Sequence, residues 1–224
     1  IGLLCEDGIV IGADSTATLG SSLNIPTIEQ KCKKIYLVEN QVIVAGSGSI
    51  GLCQRFKHIV GEYWKAGGFH RPYPEVGREL SAQGLQNFNS TAAPPGQFGA
   101  LVAYSNGADF YLCEFNASDF QPEFKDNALW YTSMGAGQLI TDPFLGFLRE
   151  IFWKDKLPSL SEGIFHVVWA LWHTIKLNPG GINEPMQIAT LSPVKEGYRA
   201  ALLDENTLGE HVNNVIGINQ YIAD

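Results

Sequence analysis

The order of strand and helix signals predicts an α+β fold, a four-layer αββα sandwich in which two antiparallel sheets are flanked by helices. Three observations carry this. The strands come as hairpins, and the hairpins are grouped between pairs of helices, whereas a parallel sheet would alternate single strands with single helices. One early strand, Ile9-Val10-Ile11-Gly12-Ala13, is apolar at consecutive positions, the pattern of a strand covered on both faces.

The first hairpin joins Ile1 to Cys5 with Ile9 to Ala13 through the Asp7-Gly8 turn. A second joins Lys34 to Val38 with Gln41 to Ala45. After Gly51, Leu52, Phe56, Ile59, Val60 and Tyr63 recur at helical spacing until Gly67-Gly68, and a second helix is expected from Pro74 to Phe88. The breaker tract Ser90 to Gly96, with Pro94-Pro95, leads into a third hairpin, Phe98 to Tyr104 and Asp109 to Phe115 around Asn106-Gly107. A strand is expected over Ala128 to Ser133, then a helix from Gln138 to Trp153. A further helix, opened by the capping box Ser159-x-x-Glu162, should run to Leu177 and stop at Asn178-Pro179-Gly180-Gly181. Strands over Gln187 to Leu191 and Tyr198 to Leu203 and a helix over Thr207 to Ile218 complete the series. Neither a linker nor an internal repeat divides the chain, so residues 1–224 read as one domain.

Composition narrows the function. The net charge of -8 repels phosphate backbones, which argues against nucleic acid as a partner. The longest apolar stretch, Gly163 to Ile175, falls short of the roughly 20 residues a bilayer needs and is expected to be a buried helix, so no membrane partner is expected. Cys5, Cys32, Cys53 and Cys113 are scattered with no zinc spacing, which suits a reducing compartment and predicts no metal. With no signal-peptide pattern, a cytoplasmic location is expected, and the triplets at Asn89 and Asn116 carry little weight as glycosylation sites. Trp153, Phe165, Trp169 and Trp172 exceed what one helix face needs and predict a subunit interface.

Gly46-Ser47-Gly48-Ser49-Ile50-Gly51 is the loudest motif. It fits the G-x-G-x-x-G of a dinucleotide site, but no second strand ending in an acid follows at the required distance. Two other readings stand beside it: a tight strand-to-helix turn, and a glycine amide that must approach a substrate oxygen with no side chain in the way.

Three blocks favour the last reading. Gly8 through Thr18, with Asp14-Ser15-Thr16-Ala17-Thr18, then Lys33-Lys34-Ile35, then Val44-Ala45-Gly46, resemble the N-terminal third of proteasome β subunits and of the bacterial HslV protease. The resemblance continues more weakly through Met134-Gly135-Ala136-Gly137-Gln138. It implies the αββα fold of the N-terminal nucleophile hydrolases and a threonine-type endopeptidase that needs no cofactor. An N-terminal threonine would be the nucleophile and its own α-amine the base, which accounts for the lack of a Ser-His-Asp set.

By the same resemblance the catalytic set is Asp14, Lys34 and Gly46. Lys34 would lower the pKa of the nucleophile's surroundings, Asp14 would orient Lys34, and the Gly46 N–H would face the oxyanion. Ala17 and Thr18 would hydrogen-bond an extended peptide, with Ser47 and Gly48 on the opposite edge of the cleft. Cys32, Val44 and Tyr36 would wall the side-chain pocket, Val44 and Tyr36 being equally readable as plain core. The partners implied are peptides or unfolded proteins, homo-oligomeric stacked rings, and an ATP-dependent unfoldase. The resemblance places the threonine just upstream of Ile1, and it finds Ala136 where a serine usually supports the amine. The supporting acid and serine are likewise not found between His173 and Gly181. The alternatives are a catalytically silent ring-forming relative and, more remotely, a nucleotide-binding enzyme using Gly46 to Gly51.

Overall fold

The computed structural model describes residues 1–20, 26–93, 96–177 and 180–224. Strands β1 (Gly2–Cys5) and β2 (Gly8–Ala13) form the first hairpin, with Leu3 opposite Val10. They are followed by a two-stranded ribbon, β3 (Thr16–Gly20) and β4 (Pro26–Lys31), and by the hairpin of β5 (Ile35–Val38) and β6 (Val42–Gly48). Helices α1 (Ile50–Lys65) and α2 (Tyr73–Asn89) precede β7 (Phe98–Asn106), β8 (Asp109–Phe115), β9 (Pro122–Phe124) and the short β10 (Tyr131–Thr132). Then come α3 (Gln138–Leu148), α4 (Leu160–Leu177), β11 (Gln187–Pro193), β12 (Tyr198–Leu202) and α5 (Glu205–Ala223).

One sheet has the order β10-β1-β2-β11-β12 and the other β5-β6-β7-β8-β9, every pairing antiparallel. Helix α4 lies on β1, β2 and β11, with α3 and α5 packed against it, while α1 and α2 cover the second sheet. The expected αββα sandwich is therefore the fold observed. The consecutive apolar run of β2 has the expected cause. Val10 and Gly12 face α4, where a Cβ at Gly12 would stand 2.5 Å from Val167, and Ile9 and Ile11 face the second sheet. Beyond the second sheet, Phe56 of α1 packs edge-on against Phe98, Phe115 and Phe120.

The differences from the expected elements are local. The β3–β4 ribbon is absent from the sequence reading because Thr16 to Lys31 shows little apolar alternation, and Ile28 is exposed. The helix expected from Gln138 to Trp153 is α-helical only to Leu148. A wider turn over Arg149–Trp153 follows, closed when the Lys154 N–H donates to the Arg149 carbonyl at 2.6 Å with Lys154 at a φ of 55°. The Ser159 capping box forms as expected, its N–H and Oγ both donating to Glu162 Oε2 at 2.8 Å. Pro94-Pro95 and Asn178-Pro179, read as helix-ending breaks, lie outside the described residues.

One expectation needs correction. Trp153 and Trp169 are only 5% and 4% exposed, held in the core by Trp130, Phe144 and His166. Among the exposed apolar side chains, Leu139, Phe147, Ile151 and Phe152 fall together on α3 and the turn after it. Among the described residues no helix is long and apolar enough to cross a membrane.

Candidate active site

Asp14 stands where β2 gives way to β3. Its buried carboxylate accepts the Thr16 N–H at 2.8 Å through Oδ2, which stops the β2 backbone from continuing straight. Its other oxygen, Oδ1, lies 2.5 Å from Lys34 Nζ. Lys34 immediately precedes β5, and Gly46 lies beside it on β6, donating its N–H to the Lys34 carbonyl at a long 3.3 Å.

Asp14, Lys34, Gly46 and Ser47 line one cavity of about 90 Å³ together with Ile1 and Ala136. Ile1 reaches it because its nitrogen and carbonyl exchange hydrogen bonds with Gly12, both 2.9 Å, so the line of β1 points along β2 toward Ala13 and Asp14. Opposite stand Ser133 and Thr141. Thr141 Oγ1 donates to Ser133 Oγ at 2.7 Å, and Ser133 Oγ donates in turn to Asp142 Oδ1. A second hollow of about 230 Å³ continues from Ser47 and Gly135 past Gly48, Gln97 and Glu114. Together they form an elongated, mixed polar and apolar trough that has a cation at one end.

The glycines of the Gly46 to Gly51 motif have separate causes. A Cβ at Gly46 would lie 2.6 Å from Cys53 Sγ and 2.7 Å from the Phe98 ring, so α1 can pack against β6 only if this position is bare. Gly48 has a φ of 97°, and a Cβ there would meet the Gln97 carbonyl at 2.2 Å. Nothing crowds Gly51. The dinucleotide reading fails on topology, because α1 leads to α2 and then to β7, which pairs antiparallel to β6; no βαβ unit exists here.

The remaining expected positions divide. Ala17 is buried on β3, and Thr18, exposed, brings its hydroxyl toward Gly181. Cys32 is half-buried just before Lys34, its N–H donating to the Ser15 carbonyl at 2.8 Å. Val44 is fully buried on the face of β6 turned to α1, in the same apolar cluster as Cys53, with Tyr36 packed against that cluster. Burial pushes the Cys53 thiol up to about 11. It also raises Cys32, although Lys34 opposes the rise, so neither sulfur is poised as a thiolate nucleophile. Among the described residues no group of three His, Cys, Asp or Glu side chains is arranged to hold a metal ion.

Two features of the site escape sequence reasoning. Gln187 hydrogen-bonds both the Asp14 and the Lys34 segments; the signal available was a lone polar side chain opening an apolar strand. The Ser133-Thr141-Asp142 chain is built from a strand end and a helix start with no spacing motif, and nothing in the sequence singled it out.

A model of the family described as proteasome subunit matches residues 1–121, a span that holds Asp14, Lys34 and Gly46. This chain belongs to the proteasome subunit family. It is 24% identical to proteasome subunit beta 1 of Thermococcus kodakarensis over 211 residues, 89% of each chain. Proteasome subunit beta of Methanococcus vannielii is 33% identical over 54 residues, 24% of this chain and 23% of that one. Proteasome subunit beta 1 of Thermococcus onnurineus is 28% identical over 90 residues, 40% of each. The proteasome-family match ends before Met134 to Gln138, the stretch where Ala136 replaces the serine that the resemblance leads one to expect.

Proposed function

We propose that this single-domain chain is the threonine-type endopeptidase subunit of a ring-forming, proteasome-like complex in the cytoplasm, acting on peptides and unfolded proteins delivered by an ATP-dependent unfoldase. The observation that carries the reading is the 2.5 Å Lys34–Asp14 pair at the cavity toward which β1 points. A threonine about three residues ahead of Ile1 would continue the line of β1 past Ala13 and bring its hydroxyl toward Lys34.

The chemistry then follows from the groups present. The threonine Oγ adds to the peptide carbonyl while its proton passes to the α-amine, and the amine hands that proton to the departing peptide nitrogen. Lys34 favours the alkoxide by its charge, and Asp14 holds Lys34 in place. The Gly46 N–H gives up its 3.3 Å bond to the Lys34 carbonyl and donates instead to the developing oxyanion. Water then cleaves the ester by the reverse sequence of proton transfers. Substrate would lie extended between Ala17 and Thr18 of β3 and Ser47 and Gly48 of β6, with Cys32 and Val44 at the side-chain pocket.

A second reading is favoured by one observation, the Ala136 methyl in the cavity wall: a silent ring-forming subunit of the same fold. The deciding experiment determines the mature N-terminus by mass spectrometry and treats the assembled protein with an epoxyketone probe. A free N-terminal threonine that forms the adduct supports the peptidase. Any other N-terminal residue, or no adduct in an intact ring, supports the silent subunit.

A further inference from the structure

Gln187 opens β11 opposite Ala13, and its side chain points between the two sheets, since the next residue, Ile188, packs toward Gly12 and α4. Its carboxamide makes an unusual set of contacts. Oε1 accepts the Lys34 N–H at 3.1 Å and the Ile35 N–H at 3.4 Å. Nε2 donates to Ser15 Oγ at 2.7 Å, to the Cys32 carbonyl at 3.0 Å and to the Asp14 carbonyl at 3.3 Å. One half-buried amide therefore spans both backbone segments that carry the ion pair, its two hydrogens shared among three acceptors.

The lysine stem is long and flexible, and an ammonium left to itself prefers water. Its side chain is nevertheless only 23% exposed and is drawn to Asp14. Asp14 belongs to the end of β2 in one sheet and Lys34 to the approach to β5 in the other, and between them the chain runs through the β3–β4 ribbon, where Thr16 stands opposite Lys31. Besides the ion pair, the two segments are tied by the Cys32 N–H donated to the Ser15 carbonyl at 2.8 Å, and Gln187 adds a side chain that contacts both and reaches the Lys34 N–H from β11.

We infer that Gln187 is a positioning residue for the Asp14–Lys34 pair, clamping the two backbones so that the Lys34 ammonium faces the cavity. The inference rests on the peptidase reading above for its catalytic consequence, but not for its structural one. Gln187→Leu removes all five contacts, and Gln187→Glu keeps the shape and the acceptor while replacing the donor by an oxygen.

Two readouts separate a clamp from a structural filler. In the assembled, Thr-initiated protein, Gln187→Leu should lower kcat by about 10- to 10²-fold with KM for a fluorogenic peptide little changed. Gln187→Glu should be impaired at neutral pH and recover relative to the parent as acid protonates the new carboxyl and restores one donor, whereas the Leu variant's ratio to the parent stays flat with pH. Independently of turnover, acylation of Lys34 by an amine-selective reagent, read by mass spectrometry against Lys33 in the same molecule, should speed up several-fold in Gln187→Leu. An unchanged Lys34 to Lys33 ratio in both folded variants would overturn the clamp. So would equal loss at every pH in Gln187→Glu. If the parent neither cleaves peptide nor labels with the epoxyketone, the peptidase reading fails, and the acylation ratio alone still decides for or against Gln187.

Discussion

Lys34 places its ammonium 2.5 Å from Asp14 Oδ1, while Lys33, its neighbour in the chain, points the other way and sits 5.5 Å from the Tyr36 ring. Adjacent residues of nearly the same chemistry thus serve opposite faces of one extended segment. Lys34→Ala should leave assembly intact and lower peptide hydrolysis by about 10²- to 10³-fold, the range for losing one electrostatic support of an oxyanion-type transition state. Lys33→Ala should lose at most a surface cation–π contact, about 0.5–1 kcal/mol of stability, with turnover unchanged. Steady-state rates of the two variants side by side check this; similar losses would remove Lys34 from the mechanism.

Assembly is expected to use the exposed apolar row along α3 and the following turn, Phe147, Ile151 and Phe152, each about half exposed, in place of the tryptophans that are buried. Exposed apolar side chains close together in the chain make this stretch a candidate interaction face. Ile151→Glu should shift the protein toward smaller species in light scattering at micromolar concentration while its circular dichroism stays that of the parent. A parent that is itself monomeric under these conditions would refute ring formation.

Acid should destabilise the fold through His166. Burial lowers this imidazole to about 4, with Glu162 opposing the shift, and its Nδ1 accepts the Trp153 indole N–H at 2.9 Å, which only the ring lacking a proton there can do. In the unfolded chain the group titrates near pH 6.5, so between about 6.5 and 4 the unfolded state binds a proton that the folded state refuses. Stability from this source is unaffected above pH 6.5, falls as the pH drops toward 4, and levels off below, a total of about 3 kcal/mol. His166→Gln, whose amide oxygen still accepts from Trp153, should flatten that part of the curve in urea denaturation at several pH values. Parallel curves for the two proteins would place the acid sensitivity elsewhere.

Most of the fold was legible because the residues that decide it are periodic. Ile9 to Ala13 announced a doubly covered strand, and Leu52 to Tyr63 announced a helix, from burial that repeats along the chain. The site was legible where one strand end supplied a whole motif, as with Asp14-Ser15-Thr16 and Val44-Ala45-Gly46. It was not legible where the candidate site is built from contacts at long separation. The Gln187 carboxamide meets Lys34, 153 positions away, and no local spacing encodes that. The β3–β4 ribbon was missed for a related reason, since Thr18, Leu19 and Ile28 are exposed and leave no alternating trace. Trp169 misled because a helix crowded with aromatics looks overfull until its extra face is seen to be filled by Phe144 of α3 and Phe152 of the turn after it, and Trp153, in that turn, packs inward on Trp130 and His166.

A buried ion pair within the second sheet should make a separate contribution to stability. Lys125 Nζ lies 2.9 Å from Glu114 Oε2 with 3% of its side chain exposed, and Thr132 of the opposite sheet donates its hydroxyl to the same carboxylate. Burial pulls the Lys125 ammonium down, but its hydrogen bonds with Glu123 and Glu114 outweigh this and hold it above its usual value. Lys125→Met leaves the Glu114 charge buried without its cation, with the Thr132 hydroxyl as its remaining partner, and should cost about 3–5 kcal/mol. Adding Glu114→Leu should return much of that, because the isolated charge is then gone. Urea midpoints of the single and double variants measure the coupling, and simple additivity would show that the pair contributes nothing as a unit.

Ala136 offers the most direct probe of the site. It lines the cavity with Asp14, Lys34 and Ser133, and its methyl neither donates nor accepts, so it cannot hold an amine that must take up and release a proton. The Ser133 hydroxyl is already committed to Asp142 and accepts from Thr141, which leaves it one lone pair to offer such an amine. If that is insufficient, the Thr-initiated protein turns over slowly, and Ala136→Ser supplies the missing partner. General-base assistance is typically worth 10²- to 10⁴-fold, so one restored hydrogen bond is expected to raise kcat about tenfold, equivalent to about 1.4 kcal/mol. Ser133→Ala in the same background sharpens the comparison. A loss larger in the parent than in Ala136→Ser means that the two hydroxyls serve one amine. Fast turnover by the parent, unaltered by Ala136→Ser and abolished by Ser133→Ala, means that Ser133 and Asp142 alone hold the base and that Ala136 is a bystander in the cavity wall.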